Sequence, residues 1–164
     1  MIQFFYTKPD LLKIMLNDIK YYLQVTDHLS SAGQPLEAQL KSISDAGFDL
    51  VINLGMLNNP EYSLRDEASS VIALGMDYVH IPVVFEDPTR QNLLDFFKAM
   101  EDSRGKKVFV HCAMNMRAST FIGLYNAIRL NQPRDQAFEL MHRIWEPNEI
   151  WQIFIVQMLA DPDL

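Results

Sequence analysis

An α/β fold, with a mainly parallel central sheet and helices on both faces, is predicted by three features of the sequence. Short apolar runs rich in β-branched residues recur at 48–54 (FDLVINL), 77–84 (DYVHIPVV) and 107–111 (KVFVH). Segments with apolar residues at helical spacing separate them, the alternation that produces strand–helix–strand crossovers. Beyond residue 130 only helical patterning remains, so a helical tail closes the chain.

The elements follow in order. Residues 10–23 (DLLKIMLNDIKYYL) carry helical spacing after Lys8-Pro9. Residues 29–35 (LSSAGQP) read as a short extended piece ending in Gly and Pro turn chemistry. Residues 36–46 place Leu36, Leu40 and Ile43 on one helical face, and Gly47 is a natural C-cap. The strand at 48–54 leads into a loop over 55–60, then a helix at 63–74 that stops at Gly75. Pro82 places the strand at 77–84 near a sheet edge or ends it early. In the acidic loop 85–89 (FEDPT), Asp87 starts a turn before proline, and Thr89 caps the next helix. That helix, 90–101, turns Leu93, Leu94, Phe97 and Met100 inward. The strand at 107–111 runs into a cysteine-bearing loop and then a helix through residue 130. Pro133 and Pro147 each read as the first residue of a helix, where a missing N–H costs nothing.

Composition narrows the function classes. A chain of 164 residues, 49% apolar and 21% charged, is a globular domain rather than a disordered segment. Residues 1–164 are expected to form one domain: a helical extension over 1–28, an α/β core over 29–130 and the helical tail over 131–164. A net charge of −7 without a basic stripe argues against a nucleic-acid surface. One cysteine excludes an intramolecular disulfide. No secretory leader pattern opens the chain and no apolar run has bilayer-spanning length, so a cytoplasmic location with no membrane partner is expected. His28, His80 and His142 share no metal-like spacing. The methionines, Trp145 and Trp151 read as core filler, and the carboxylates along the helices read as solvated faces.

Chemistry concentrates at 111–119, HCAMNMRAS. Cys112 lies between a strand and a helix, so it is expected over a helix N-terminus, where orphan amides and the dipole favour an anion. The same amides suit a phosphate or another tetrahedral oxyanion. Arg117 is five residues on, and its planar fork grips two oxygens at once. Asn115 tolerates the positive φ that such a loop needs, and Ser119 is placed to donate to the thiolate.

These residues are similar to the His-Cys-x5-Arg-Ser/Thr signature of the protein tyrosine phosphatase-like superfamily. SSAGQP, VINL and YVHIPV ahead of an acidic loop extend the resemblance over roughly 29–130, and it points to a compact bacterial branch. The resemblance implies a hydrolase of protein tyrosine or dual-specificity type, acting on a phosphorylated protein or small phosphomonoester with no cofactor and no metal. Cys112 would form a phosphocysteine, Arg117 would bind the phosphoryl oxygens, and Asp87 would protonate the leaving group; Glu86, on the same loop, is the alternative acid on geometric grounds. His111, Ala113, Met114, Asn115, Met116, Ala118 and Ser119 would form the anion cradle, His111 by orienting the loop.

The spacing departs from that signature, because four residues rather than five separate Cys112 from Arg117. Cys-x-x-Asn-x-Arg also resembles the Cys-x-x-Gly-x-Arg loop of rhodanese-type sulfurtransferases, which implies a persulfide on Cys112. A third reading is a phosphatase-like fold that binds an anion or phosphoprotein without turnover. In all three, residues 55–63 and 85–89 are the expected walls of the pocket.

Overall fold

The computed structural model describes residues 8–164. The elements run α1 (Lys8–Asn17), β1 (Leu23–Thr26), β2 (Leu29–Ala32), α2 (Glu37–Asp45), β3 (Leu50–Asn53), α3 (Glu67–Ala73), β4 (Asp77–His80), α4 (Arg90–Asp102), β5 (Val108–His111), α5 (Met116–Ile128), α6 (Arg134–Ala137), α7 (Glu139–Ile144) and α8 (Glu149–Ala160). Five strands form one sheet in the order β1-β2-β5-β3-β4. β2, β5, β3 and β4 are mutually parallel, and β1 adds an antiparallel edge. This is the α/β architecture that the alternating pattern predicts.

Strand composition explains strand position. β2, β3 and β5 are buried at every residue, as central parallel strands covered on both faces must be. β4 is half-exposed and stops before Pro82, so the proline marks both an edge and an early end. Alternation along the strands then divides the core. Val108 and Val110 of β5, with Leu50 and Ile52 of β3, face the cluster of Phe96, Phe121 and Trp151 built by α4, α5 and the tail. Phe109 and Val51 face the opposite cluster with Leu40, Ile43 and Val71 of α2 and α3.

Four local expectations are corrected. Helical spacing at 10–23 yields a helix only to Asn17; Tyr21 turns the chain at φ 54° and residues 23–26 become β1. Backbone pairing to β2, with Leu23 opposite Ser31, satisfies donors and acceptors that side-chain periodicity does not report. The helix at 63–74 begins only at Glu67, where the Asp66 side chain accepts from the Ser69 amide at 3.2 Å. Neither proline is a first helical residue: Pro133 is the cap residue of α6, and Asn148, after Pro147, caps α8 by accepting from the Trp151 amide at 3.1 Å. In α4 the buried residues are Leu93, Phe96 and Phe97, with Leu94 and Met100 only half-buried. Among the described residues no helix is long and apolar enough to cross a membrane.

Candidate active site

β5 lies between β2 and β3, so its last residue delivers the cysteine loop to the carboxyl edge of the sheet centre. Neighbouring strands fix that loop through its carbonyls. Leu54 N donates to His111 O at 2.8 Å, and Gln34 N donates to Ala113 O at 3.0 Å. The Cys112 amide donates to Ala32 O at 3.4 Å. The amides of Ala113 and Met114 have no backbone acceptor among the described residues, while the Asn115 amide belongs to the bridge between Met114 and Gly33. Asn115 then enters α5 with φ 63°, the left-handed conformation expected of it. Its Nδ2 donates to Tyr21 O at 2.8 Å and to Ser31 Oγ at 3.0 Å, while its buried Oδ1 has no partner. Free loop amides above the first turn of a thirteen-residue helix make an anion site with no charged side chain required.

Arg117 adds the charge. It is 7% exposed, in the first turn of α5, and its Nη1 donates to Val83 O at 2.7 Å. Its buried Nε has no protein acceptor. A cation there opposes the helix dipole, and an orphaned guanidinium N–H carries a desolvation cost that an oxyanion would remove. Arg117 borders a cavity of about 220 Å³, and its guanidinium carbon lies 5.9 Å from the Phe85 ring centre. Met56, Asn58, Asn59, Tyr62, Val84, Phe85 and Glu86 wall this cavity, together with Ala113 and Arg117. Cys112, 1% exposed, is buried and is not part of the wall.

The helical tail holds the acidic loop in place. Phe85 packs against Trp145 and Trp151, each with ring centres 5.7 Å away, and Trp151 Nε1 donates to Phe85 O at 2.9 Å. Trp145 Nε1 donates to Thr120 Oγ1 of α5 at 3.3 Å. Within the loop Glu86 borders the cavity. Asp87 is exposed, off the cavity wall, with its amide on Val84 O at 3.1 Å.

Behind the cysteine loop lies a buried polar cluster. His111 Nε2 bonds Glu67 Oε1, and His111 Nδ1 faces Cys112 O at 3.4 Å. Glu67 Oε2 accepts from Gln34 Nε2 at 3.1 Å and Asn53 Nδ2 at 3.4 Å. Burial pushes the Glu67 carboxyl up, but the charge and hydrogen bond of His111, helped by Gln34, outweigh it and hold the group below the ordinary carboxylate range. Burial, reinforced by the Glu67 charge, pushes Tyr78 up to about 12.

The structure thus gathers His111, Cys112, Ala113, Asn115 and Arg117 at one sheet edge. Met114 pairs with Gly33 in an isolated antiparallel bridge, and the Met116 carbonyl accepts from Thr120 Oγ1 at 2.8 Å. Ala118 packs into the core. Ser119 is not at the thiol: its hydroxyl donates back to Met116 O at 3.2 Å, a local helix bond, and the residue lines a separate cavity of about 500 Å³. The reading of helix carboxylates as solvated fails at Glu67, which is 2% exposed. Glu67, Gln34 and Asn53 carry no motif; the sole hint of the acidic-loop anchor is the aromatic Phe85 beside Glu86, with Trp145 and Trp151 downstream.

Comparison with known proteins places this geometry. Residues 23–149 match the family described as DSP-PTPase phosphatase fused to NAD+ kinase. A crystal structure of a candidate phosphatase (DUF442) from Shewanella putrefaciens CN-32 is 34% identical, with a TM-score of 0.81 covering 90% of this chain and 96% of that one. Tk-PTP in its active form shares the fold at 21% identity, with a TM-score of 0.70 over 87% of this chain and 97% of its own. The beta-lactamase hydrolase-like protein of Agrobacterium fabrum (strain C58 / ATCC 33970) is 33% identical over 113 residues, which is 65% of this chain and 25% of that protein. The chain therefore spans about a quarter of the length of that curated relative.

Proposed function

The chain belongs to the DSP-PTPase phosphatase family, and from that premise we propose that it hydrolyses a phosphomonoester through a phosphocysteine on Cys112. One observation carries the reading: the buried Nε of Arg117 and the amides of Ala113 and Met114, all within five residues of Cys112, have no protein acceptor among the described residues. Both groups are donors suited to an oxyanion.

In the first step the Cys112 thiolate attacks phosphorus; an S–P bond forms and the bond to the ester oxygen breaks. Arg117 and the loop amides hold the non-bridging oxygens as charge spreads over them. The departing oxygen takes a proton from the acidic loop, where Glu86 borders the cavity and Asp87 is the adjacent carboxylate. In the second step water attacks phosphorus, its proton returns to that carboxylate, and the S–P bond breaks to release phosphate and the thiolate. No step draws on a metal or cofactor. The substrate is a phosphorylated protein or small phosphomonoester, and residues 1–164 act as one domain.

The four-residue spacing between Cys112 and Arg117 favours one second reading, sulfur transfer through a Cys112 persulfide. Hydrolysis of an aryl phosphate by the wild-type chain and by Cys112→Ser decides the matter, with thiosulfate and cyanide as the parallel assay. Turnover of the phosphate that vanishes in Cys112→Ser supports the phosphatase reading. Sulfur transfer without phosphate turnover replaces it. Glu86→Gln and Asp87→Asn, measured side by side, assign the acid: the variant with the larger fall in kcat on a poor leaving group carries it.

A further inference from the structure

The cavity of about 500 Å³ that Ser119 lines shares no residue with the cavity beside Arg117, and the hydrolytic steps do not use it. It is enclosed by the β1–β2 hairpin, the turn from α4 into β5, one face of α5 and the start of the tail. Its volume is that of a small-molecule site. The apolar part of its wall is made by Val25 and Leu29 of the hairpin, Val108 of β5, Ile122 and Tyr125 of α5, and Leu140 of α7.

The two ends of this cavity differ. Ser119, Ile122 and Asn126 succeed one another on one α5 face, a span of about 10 Å. α5 finishes beside the end of α4, because Arg129 Nη1 donates to Glu101 Oε1 at 3.0 Å. At that end the cavity is bordered by His28, Arg104 and Lys106, all exposed. Val108 N donates to His28 O at 2.8 Å, so His28 stands with them at the amino ends of β2 and β5. Lys106 is paired with Asp77 at 3.1 Å, but Arg104 has no ion-pair partner among the described residues. The one carboxylate on the lining is Glu139, exposed at the start of α7. Two fixed cations against one carboxylate make this end locally positive in a chain of net charge −7. The other end is formed by Ser31 and Ser119. Ser31 Oγ accepts from Asn115 Nδ2 at 3.0 Å and the Ser119 amide donates to Asn115 O at 3.0 Å, so both hold the residue through which the cysteine loop enters α5.

We propose that this cavity is a second ligand site, which takes an elongated amphipathic anion: a single apolar chain ended by one carboxylate. The chain lies between the hairpin and α5, along Leu29 and Ile122, and the carboxylate meets Arg104 at the exposed rim. A guanidinium grips two carboxylate oxygens at once, and a head group at the rim keeps its hydration, so no charge is buried. One unpaired cation suits one negative group; a polyanion would lack partners and would meet Glu139. Affinity then comes chiefly from the chain, at roughly fourfold per buried methylene. The far end of the bound chain lies against Ser31 and Ser119, so occupancy is felt at Asn115.

The test is titration of the full chain with decanoate, followed by amide NMR, with butyrate and phosphatidylglycerol vesicles as parallel probes. Decanoate is expected to saturate one site below its micelle threshold and to shift the amide signals of Ile122 and Asn115. If half of its six extra methylenes reach the apolar wall, it binds roughly 60-fold more tightly than butyrate. Arg104→Gln should weaken decanoate about three- to tenfold, and Leu140→Trp, which fills the wall, should abolish its binding. Arg104 is exposed, so that variant keeps the test decisive if Leu140→Trp does not fold. Absence of saturable decanoate binding overturns the proposal, as does binding that neither variant weakens. Binding to the vesicles alone also overturns it and makes this face a membrane contact instead. None of these readouts needs turnover, so they stand apart from the Cys112→Ser assay that decides the phosphatase reading.

Discussion

Gly33→Ala is a one-carbon perturbation aimed at the cysteine loop from outside it. Gly33 pairs with Met114, and a Cβ there would lie 2.8 Å from the Ala113 carbonyl oxygen and 3.1 Å from that of Lys20. Both obstacles are backbone, so no side chain can swing away. Ordinary contact begins at 3.4 Å, so the Ala113 carbonyl must retreat by about 0.6 Å. The Gln34 amide, 3.0 Å from that same oxygen, resists the movement. Gly33 is not left-handed, so contact is the whole penalty. Such overpacking costs roughly 1–3 kcal/mol. Since a misplacement of ~1 Å costs ~100-fold, a shift of this size beside Cys112 lowers kcat about tenfold. Gly75→Ala is the control: at φ 85° with nothing within 4 Å of its Cβ, it loses roughly 1–2 kcal/mol of stability and leaves kcat unchanged. Urea titration and steady-state rates on an aryl phosphate read both quantities. A Gly33→Ala chain with wild-type kcat, or a Gly75→Ala chain slowed as much, refutes the reasoning.

Three further outcomes follow from the geometry. Arg117→Lys keeps the charge but loses the planar fork whose Nη1 bonds Val83 O and whose buried Nε is unpartnered; kcat/KM should fall by about 100-fold or more, and a drop under threefold contradicts the assignment. Trp151→Phe keeps an aromatic ring beside Phe85 but loses the bond to its carbonyl; urea unfolding should show a loss of about 0.5–1.5 kcal/mol, and no loss removes the anchor from the account. Glu67 has a carboxyl held below its ordinary value, so its stabilisation is complete above the unfolded carboxylate range and disappears as pH falls through the folded value. The stability gap between wild type and Glu67→Gln should therefore shrink on acidification, as urea midpoints will show; a gap that is constant or widens on acidification contradicts the sign.

The parts of the fold that were legible in the sequence are those where one chemical requirement dominates. Buried parallel strands demand unbroken apolar runs, so β3 and β5 announce themselves. Gly47 and Gly75 both take φ 85° at helix ends, a conformation that glycine adopts at little cost. β1 was not legible, because Leu23–Thr26 is an edge strand held by backbone pairing inside a stretch whose side chains repeat like a helix. At the site, Cys112, Asn115 and Arg117 stand close in sequence and show their chemistry as a motif. Glu67 lies 44 residues before its partner His111 and reads locally as one more helix carboxylate. Only the crossover that brings α3 over the ends of β3 and β5 makes it a buried counter-ion. Ser119 failed for the opposite reason: a nearby hydroxyl suggested a bond to sulfur, but the helix offered it the Met116 carbonyl first.

The covalent intermediate tests the central claim most directly. The wild-type chain is quenched in acid during turnover of an aryl phosphate, weighed intact, and mapped by peptide. The account predicts one phosphoryl group on the peptide that contains Cys112 and none in Cys112→Ser. An intermediate on another residue, or undiminished turnover by Cys112→Ser, contradicts it.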